Sequence, residues 1–119
     1  PYLLLVGPRQ PWRSLAEFVA AARAAPERIA YGTSGVGSMP HLVALRFSEA
    51  AGIRLTHVPY RGGAQASTDL IAGVLPSIID SLTAASANIR AGSQRALVHS
   101  YPDRIAGFDD IPSFRELGY

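Results

Sequence analysis

Residues 32–38, Gly32-Thr33-Ser34-Gly35-Val36-Gly37-Ser38, combine three glycines with three hydroxyls between an apolar run and a helical pattern. Such a turn lets a ligand approach the main chain. The unpaired amides and positive dipole end of the following helix then suit an anion. The spacing excludes better-known loops. No Gly-Lys-Ser/Thr follows, the glycine order is not that of the dinucleotide fingerprint, and Ser34 lacks the two flanking glycines of a nucleophile elbow. The same residues also read as a plain turn with Ser38 capping the helix. His41, inside that helix, reads either as a further donor to the anion or as a packing residue.

Two other segments carry polar groups at a strand end. In His57-Val58-Pro59-Tyr60-Arg61-Gly62-Gly63, Arg61 has the fork for a carboxylate, Gly62 and Gly63 leave helix amides open, and Tyr60 offers an amphipathic wall. Arg61 also reads as solvated or paired with a surface acid. Asp80-Ser81 follows Leu75-Pro-Ser-Ile-Ile79, with Asp80 a third contact or merely the cap of the next helix. Triads such as Ser34–His41–Asp69 or Ser38–His57–Asp80 can be written down, so a small α/β hydrolase using Ser34 or Ser38 is the rival reading. Geometry decides between them. His41, His57 and His99 are too scattered for a metal signature and no cysteine assists, so neither metal nor cofactor is expected.

The elements that must position these residues follow from periodicity and punctuation. Strands are predicted over residues 2–6, 29–31, 55–58, 75–79 and 95–99, and helices from 15 to just before Pro26 and over 39–51, 64–72 and 82–91. Ser14 and Glu17 form a capping box, and Pro26 stops the first helix. Three helices end in Ala-Gly, at Gly52, Gly73 and Gly92, where a left-handed residue satisfies the last carbonyls. Ser113-Phe-Arg-Glu116 reads as a second capping box opening one helical turn. Alternating strands and helices predict an α/β fold with a mixed, largely parallel sheet flanked by helices. In such sheets ligands bind beyond the carboxyl ends of the strands, where all three polar segments fall.

Composition narrows the function classes. The chain has 119 residues, 48% apolar and 17% charged, without cysteine, which fits one domain and excludes disorder or a disulfide scaffold. Eleven Arg, no Lys and nine acids leave a net charge of +2, and the Arg are scattered along the chain. A phosphate-tracking surface needs them gathered, so a nucleic-acid partner is not expected despite a pI near 9.4. No apolar run approaches the roughly 20 residues of a membrane span.

Taken together, Y-G-T-S-G-V-G-S-x-x-H (31–41), H-V-P-Y-R-G (57–62), A-G-V-L-P (72–76) and I-P-S-F-R-E-L-G-Y (111–119) resemble the Bug family. These are the TctC-like periplasmic solute-binding receptors of tripartite tricarboxylate transporters. The resemblance covers essentially the whole chain. It implies one lobe of a type II periplasmic-binding-protein fold, residues 1–119 being the second of two lobes, entered and left through hinge strands. The start at Pro1 without a signal peptide then reads as a mark of excision from a longer periplasmic chain.

The resemblance also implies a function without catalysis: capture of a small carboxylate, such as a di- or tricarboxylate, an acidic amino acid or a related compound. Thr33, Ser34, Gly35, Val36, Gly37 and Ser38 would form the anion-facing turn, with His41 behind it. Tyr60, Arg61 and Gly62 would make a second wall, and Asp80 and Ser81 a third contact. The implied partners are the missing first lobe and the membrane permease subunits, with no membrane insertion of the chain itself. Two departures from the family pattern, Ser100-Tyr-Pro-Asp-Arg-Ile and Ser113 in place of a common Thr, lie outside the proposed cleft.

Overall fold

Tyr2–Val6 (β1) is buried on both faces because Leu3 and Leu5 point one way while Leu4 and Val6 point the other. In the computed structural model, which describes residues 1–119, it is followed by α1 (Leu15–Ala24), β2 (Ala30–Thr33), α2 (Met39–Ala51) and β3 (Thr56–Pro59). Then come α3 (Gly63–Ala72), β4 (Ser77–Ser81), α4 (Leu82–Ala91) and β5 (Arg95–His99). No helix is long and apolar enough to cross a membrane.

The strands form one sheet in the order β3-β2-β4-β1-β5. β2 is parallel to both β3 and β4, whereas β1 is antiparallel to β4 and to β5. The expected mixed, largely parallel sheet is therefore present. Its one reversed strand lies inside the sheet and not at an edge. The alternation of β1 divides the core in two. Leu4, Val6, Ile79 and Leu97 meet Phe18 and Val19 of α1 and Phe47 of α2 on one face. Leu3, Leu5 and Ile78 meet Ala66 and Leu70 of α3 and Ala85 of α4 on the other. Each fully buried Leu is worth about 1.5–3 kcal/mol relative to an exposed one.

Local chemistry sets the helix ends. Ser14 Oγ accepts from the Glu17 N–H at 3.2 Å, and Gly52, Gly73 and Gly92 all adopt left-handed conformations, with φ of 66°, 82° and 78°. Strands β2, β3 and β4 begin one or two residues later than periodicity predicts, and α3 starts at Gly63. The second capping box forms its reciprocal bonds, Glu116 N–H to Ser113 Oγ at 3.0 Å and Ser113 N–H to Glu116 Oε1 at 3.4 Å. It opens only a run of turns and no helix. Its carboxylate is drawn aside by Arg104, whose Nη2 lies 2.9 Å from Glu116 Oε2.

Candidate functional site

Parallel registry brings the three polar segments to one rim. Thr33 pairs with Pro59 and Gly32 with Ile78, so β2, β3 and β4 deliver residues 33–38, 60–62 and 80–81 to the same edge. The Tyr60 N–H donates to the Thr33 carbonyl at 2.9 Å, which ties the first two turns together just past the last ladder pair.

Thr33 organises the glycine loop. It is 1% exposed, and its Oγ1 accepts from the Gly35 N–H at 3.2 Å and lies 2.5 Å from His57 Nε2. The Thr33 hydroxyl proton faces the Gly35 carbonyl at 3.3 Å. Gly35 and Gly37 hold φ of 140° and 80°, values that side-chain-bearing residues seldom adopt. Gly32 serves a different purpose. A Cβ there would stand 2.6 Å from Leu75 Cδ2 and 3.2 Å from Tyr60 Cε1, so its bareness lets Tyr60 close over the strand.

Ser38 occupies the N-cap position of α2 without capping it through its side chain. Its hydroxyl donates back to the Gly35 carbonyl at 2.7 Å. The N–H groups of Ser34, Val36, Met39 and His41 consequently have no hydrogen-bond partner in the protein, and Pro40 has no N–H to satisfy. Met39 and His41 lie in the first turn of a 13-residue helix, at its positive end, and Ser34 and Val36 lie in the loop that leads into it. Ser34, Val36 and Gly37 are exposed, whereas Gly35, Ser38 and His41 are half-buried.

His41 is both a packing and a loop residue. Its Nδ1 accepts from the Gly37 N–H at 3.0 Å, leaving Nε2 to carry the ring proton. Its ring stacks on His57 at 3.9 Å between centroids, and His57 stacks in turn on Tyr31 at 5.1 Å. Burial, and then the neighbouring His41, hold His57 below the usual histidine pKa. Neither His57 nor Tyr31 is among the expected site residues. Their register pairing across β2 and β3 places them on one face, a relation that spacing along the chain does not announce.

The other predicted residues are arranged less uniformly. Tyr60 Oη donates to Asp69 Oδ2 at 2.7 Å, and that bond, with burial, pushes the phenol pKa up to about 12. Arg61 is exposed and makes no ion pair or hydrogen bond, the solvated alternative. Gly62 is the N-cap of α3. Asp80 is not the cap of α4: Ser81 is, its Oγ accepting from the Ala84 N–H at 3.2 Å. The Asp80 carboxylate accepts from the Ser81 N–H at 2.8 Å and lies 3.3 Å from where a Cβ on Gly63 would stand. Burial raises its pKa, partly offset by the Ser81 bond. The second glycine turn therefore already faces a carboxylate, which makes it a poorer anion site than the first.

The triads do not form. Ser38 bonds Gly35, His57 bonds Thr33, Asp69 bonds Tyr60 and Asp80 bonds Ser81, while Ser34 has no side-chain partner. No carboxylate oxygen comes within 4 Å of a histidine nitrogen, the ion pairs being Arg54–Glu27 and Arg104–Glu116. No cluster of three His, Asp or Glu has the spacing to hold a metal ion. An apolar cavity of about 290 Å³ between α2 and the tail, lined by Val43, Phe47, Phe114 and Tyr119, does not include the glycine turns.

The five-stranded mixed sheet flanked by four helices has the fold of one lobe of a periplasmic binding protein, matching a solved TctC solute binding protein from Polaromonas at a TM-score of 0.93 over 98% of this chain and 40% of that one. The chain belongs to the tripartite tricarboxylate transporter receptor family, TctC, whose family model matches residues 1–119. It is 33% identical over 119 residues to Protein BugT of Bordetella pertussis, covering 100% of this chain and 36% of the relative. Among solved structures it is similar to R. palustris Rpa4515 with adipate, at 34% identity and a TM-score of 0.94, covering 99% of this chain and 40% of that one. MatC from Rhodopseudomonas palustris with bound malate gives 26% identity and a TM-score of 0.92, again over 99% and 40%. The chain thus spans about 36% of the length of the curated relative.

Proposed function

We propose that this chain is the second, ligand-binding lobe of a two-lobe periplasmic receptor that captures a small di- or tricarboxylate, acidic amino acid or related acid and releases it unchanged. The remainder of the receptor supplies the facing lobe, and ligand-driven closure creates the surface read by the permease subunits of a tripartite transporter. The observation that carries this reading is the set of unpaired amides at Ser34, Val36, Met39 and His41, held open by Thr33 and Ser38 at a helix N-terminus. The Ser34 hydroxyl adds a donor beside them. Asp80 and Ser81, which retains a proton to donate, flank the same rim. The adipate and malate held by family members of the same fold support the ligand class.

Amide-resolved NMR of the chain titrated with malate and adipate tests the reading. Shifts confined to residues 33–41 and the adjoining rim are expected, with millimolar affinity (about 4 kcal/mol), because half of the enclosing donors lie in the other lobe. Sub-micromolar binding by this chain alone would sink the half-site idea. Unmoved loop amides at saturating malate and adipate would sink the receptor reading itself.

A further inference from the structure

His57 lies one hydroxyl away from the glycine loop. With the Thr33 proton on the Gly35 carbonyl, Thr33 Oγ1 accepts from both the Gly35 N–H and His57 Nε2–H. That arrangement leaves His57 Nδ1 without a protein partner. The stacked neighbour differs: His41 Nδ1 is already the acceptor for the Gly37 N–H, and protonating it would set two donors against each other. If one imidazole of the pair gains a proton, His57 can do so without breaking the loop.

The groups facing His57 are few. β2 contributes Tyr31 and Thr33, α2 contributes His41, and no carboxylate oxygen lies within 4 Å of a nitrogen of either ring. A second proton therefore finds no negative partner in the protein. It meets instead the positive end of α2 and a stacked imidazole. A ligand carboxylate on the amides of Ser34, Val36, Met39 and His41 would bring the missing negative charge to this spot.

We infer that His57 is the proton-taking partner of the bound acid: an anion seated on the glycine loop draws one proton onto His57 Nδ1, so the site takes up a carboxylate together with a proton. The inference rests on the receptor reading given above. By linkage the coupling is reciprocal, so acidification through the histidine range tightens binding of an ionised carboxylate and leaves a neutral isostere unaffected. Burial, and then His41, hold His57 below its ordinary pKa in the empty site, and a nearby anion acts in the opposite direction.

The test is a pH titration of the histidine ring signals of this chain, without ligand, with adipate and with adipamide. Adipate is expected to raise the His57 midpoint and to bind more tightly on acidification, the slope approaching about tenfold per pH unit between the free and bound midpoints as one proton is taken up. Adipamide should move neither quantity, and His57→Gln, which keeps a side-chain donor for Thr33 but cannot titrate, should flatten the pH dependence. If adipate shifts the loop amides while the His57 midpoint stays fixed, the inference fails and the receptor reading stands. If adipamide shows the same pH dependence as adipate, the inference fails as well. Loop amides unmoved by adipate at every pH would overturn both.

Discussion

Thr33→Val isolates the residue that shapes the candidate site. The substitution keeps the size and branching of a side chain that is 1% exposed and removes only its hydroxyl. Three bonds disappear: the acceptor for the Gly35 N–H at 3.2 Å, the donation to the Gly35 carbonyl at 3.3 Å and the contact to His57 Nε2 at 2.5 Å. Each is worth about 0.5–1.5 kcal/mol net, since Gly35 and His57 are half-buried and water can partly replace the lost partner. The added methyl recovers about 0.8 kcal/mol through burial. The expected loss is therefore about 1–4 kcal/mol in urea unfolding, with an unchanged m value. Because the loop would no longer be held open, malate-induced shifts at Ser34, Val36 and Met39 should weaken more than stability does. A Thr33→Val protein as stable as the parent, with intact malate shifts, would refute the claim that this hydroxyl organises the loop.

Gly32→Ala should cost about 1–3 kcal/mol, because its Cβ would overlap Leu75 and Tyr60; a variant within about 0.5 kcal/mol of the parent would contradict the close packing at this strand. Ser34→Trp should leave the unfolding free energy within about 0.5 kcal/mol, the residue being exposed, while abolishing malate-induced amide shifts. Asp80 is held above its ordinary pKa by burial, so the folded state binds its proton more tightly than the unfolded state does. Its ionisation therefore destabilises the fold above that raised value, and the penalty fades as pH falls toward the unfolded carboxylate value. Asp80→Asn is accordingly expected to raise Tm at neutral pH and to converge with the parent on acidification, as calorimetry at stepped pH would show.

Much of the architecture is legible in the sequence because its signals are local. Ser14 with Glu17, the Ala-Gly helix ends and the two-sided apolar run of β1 each follow from contacts within a few residues. The glycine loop is legible for the same reason, since strand, turn and helix start are contiguous. What periodicity misses is what only packing decides. The insertion of β1 between β4 and β5 depends on partners more than seventy residues away. So does the stack of Tyr31, His57 and His41 depend on packing, since it exists only because β2 and β3 are in register. Asp80 reads as a cap from sequence because it and Ser81 are both good capping types. Choosing between them requires knowing that Asp80 lies against the start of α3. Likewise the box at Ser113 forms its bonds without opening a helix, and its Glu116 carboxylate is shared with Arg104.

The central position of β1 also bears on how the chain reaches this state. Its hydrogen-bonding partners are residues 77–81 and 95–99, so Tyr2 to Val6 meet their first partner late and are enclosed on both sides only once β5 exists. Among these five strands the earliest is thus the one enclosed in the sheet last. Non-local pairing of this kind slows folding, and an unpaired run of Leu3, Leu4 and Leu5 invites wrong partners meanwhile. Substitutions that delay β4 or β5 should therefore show up first as aggregation of newly made chain, before any loss of stability in the finished lobe.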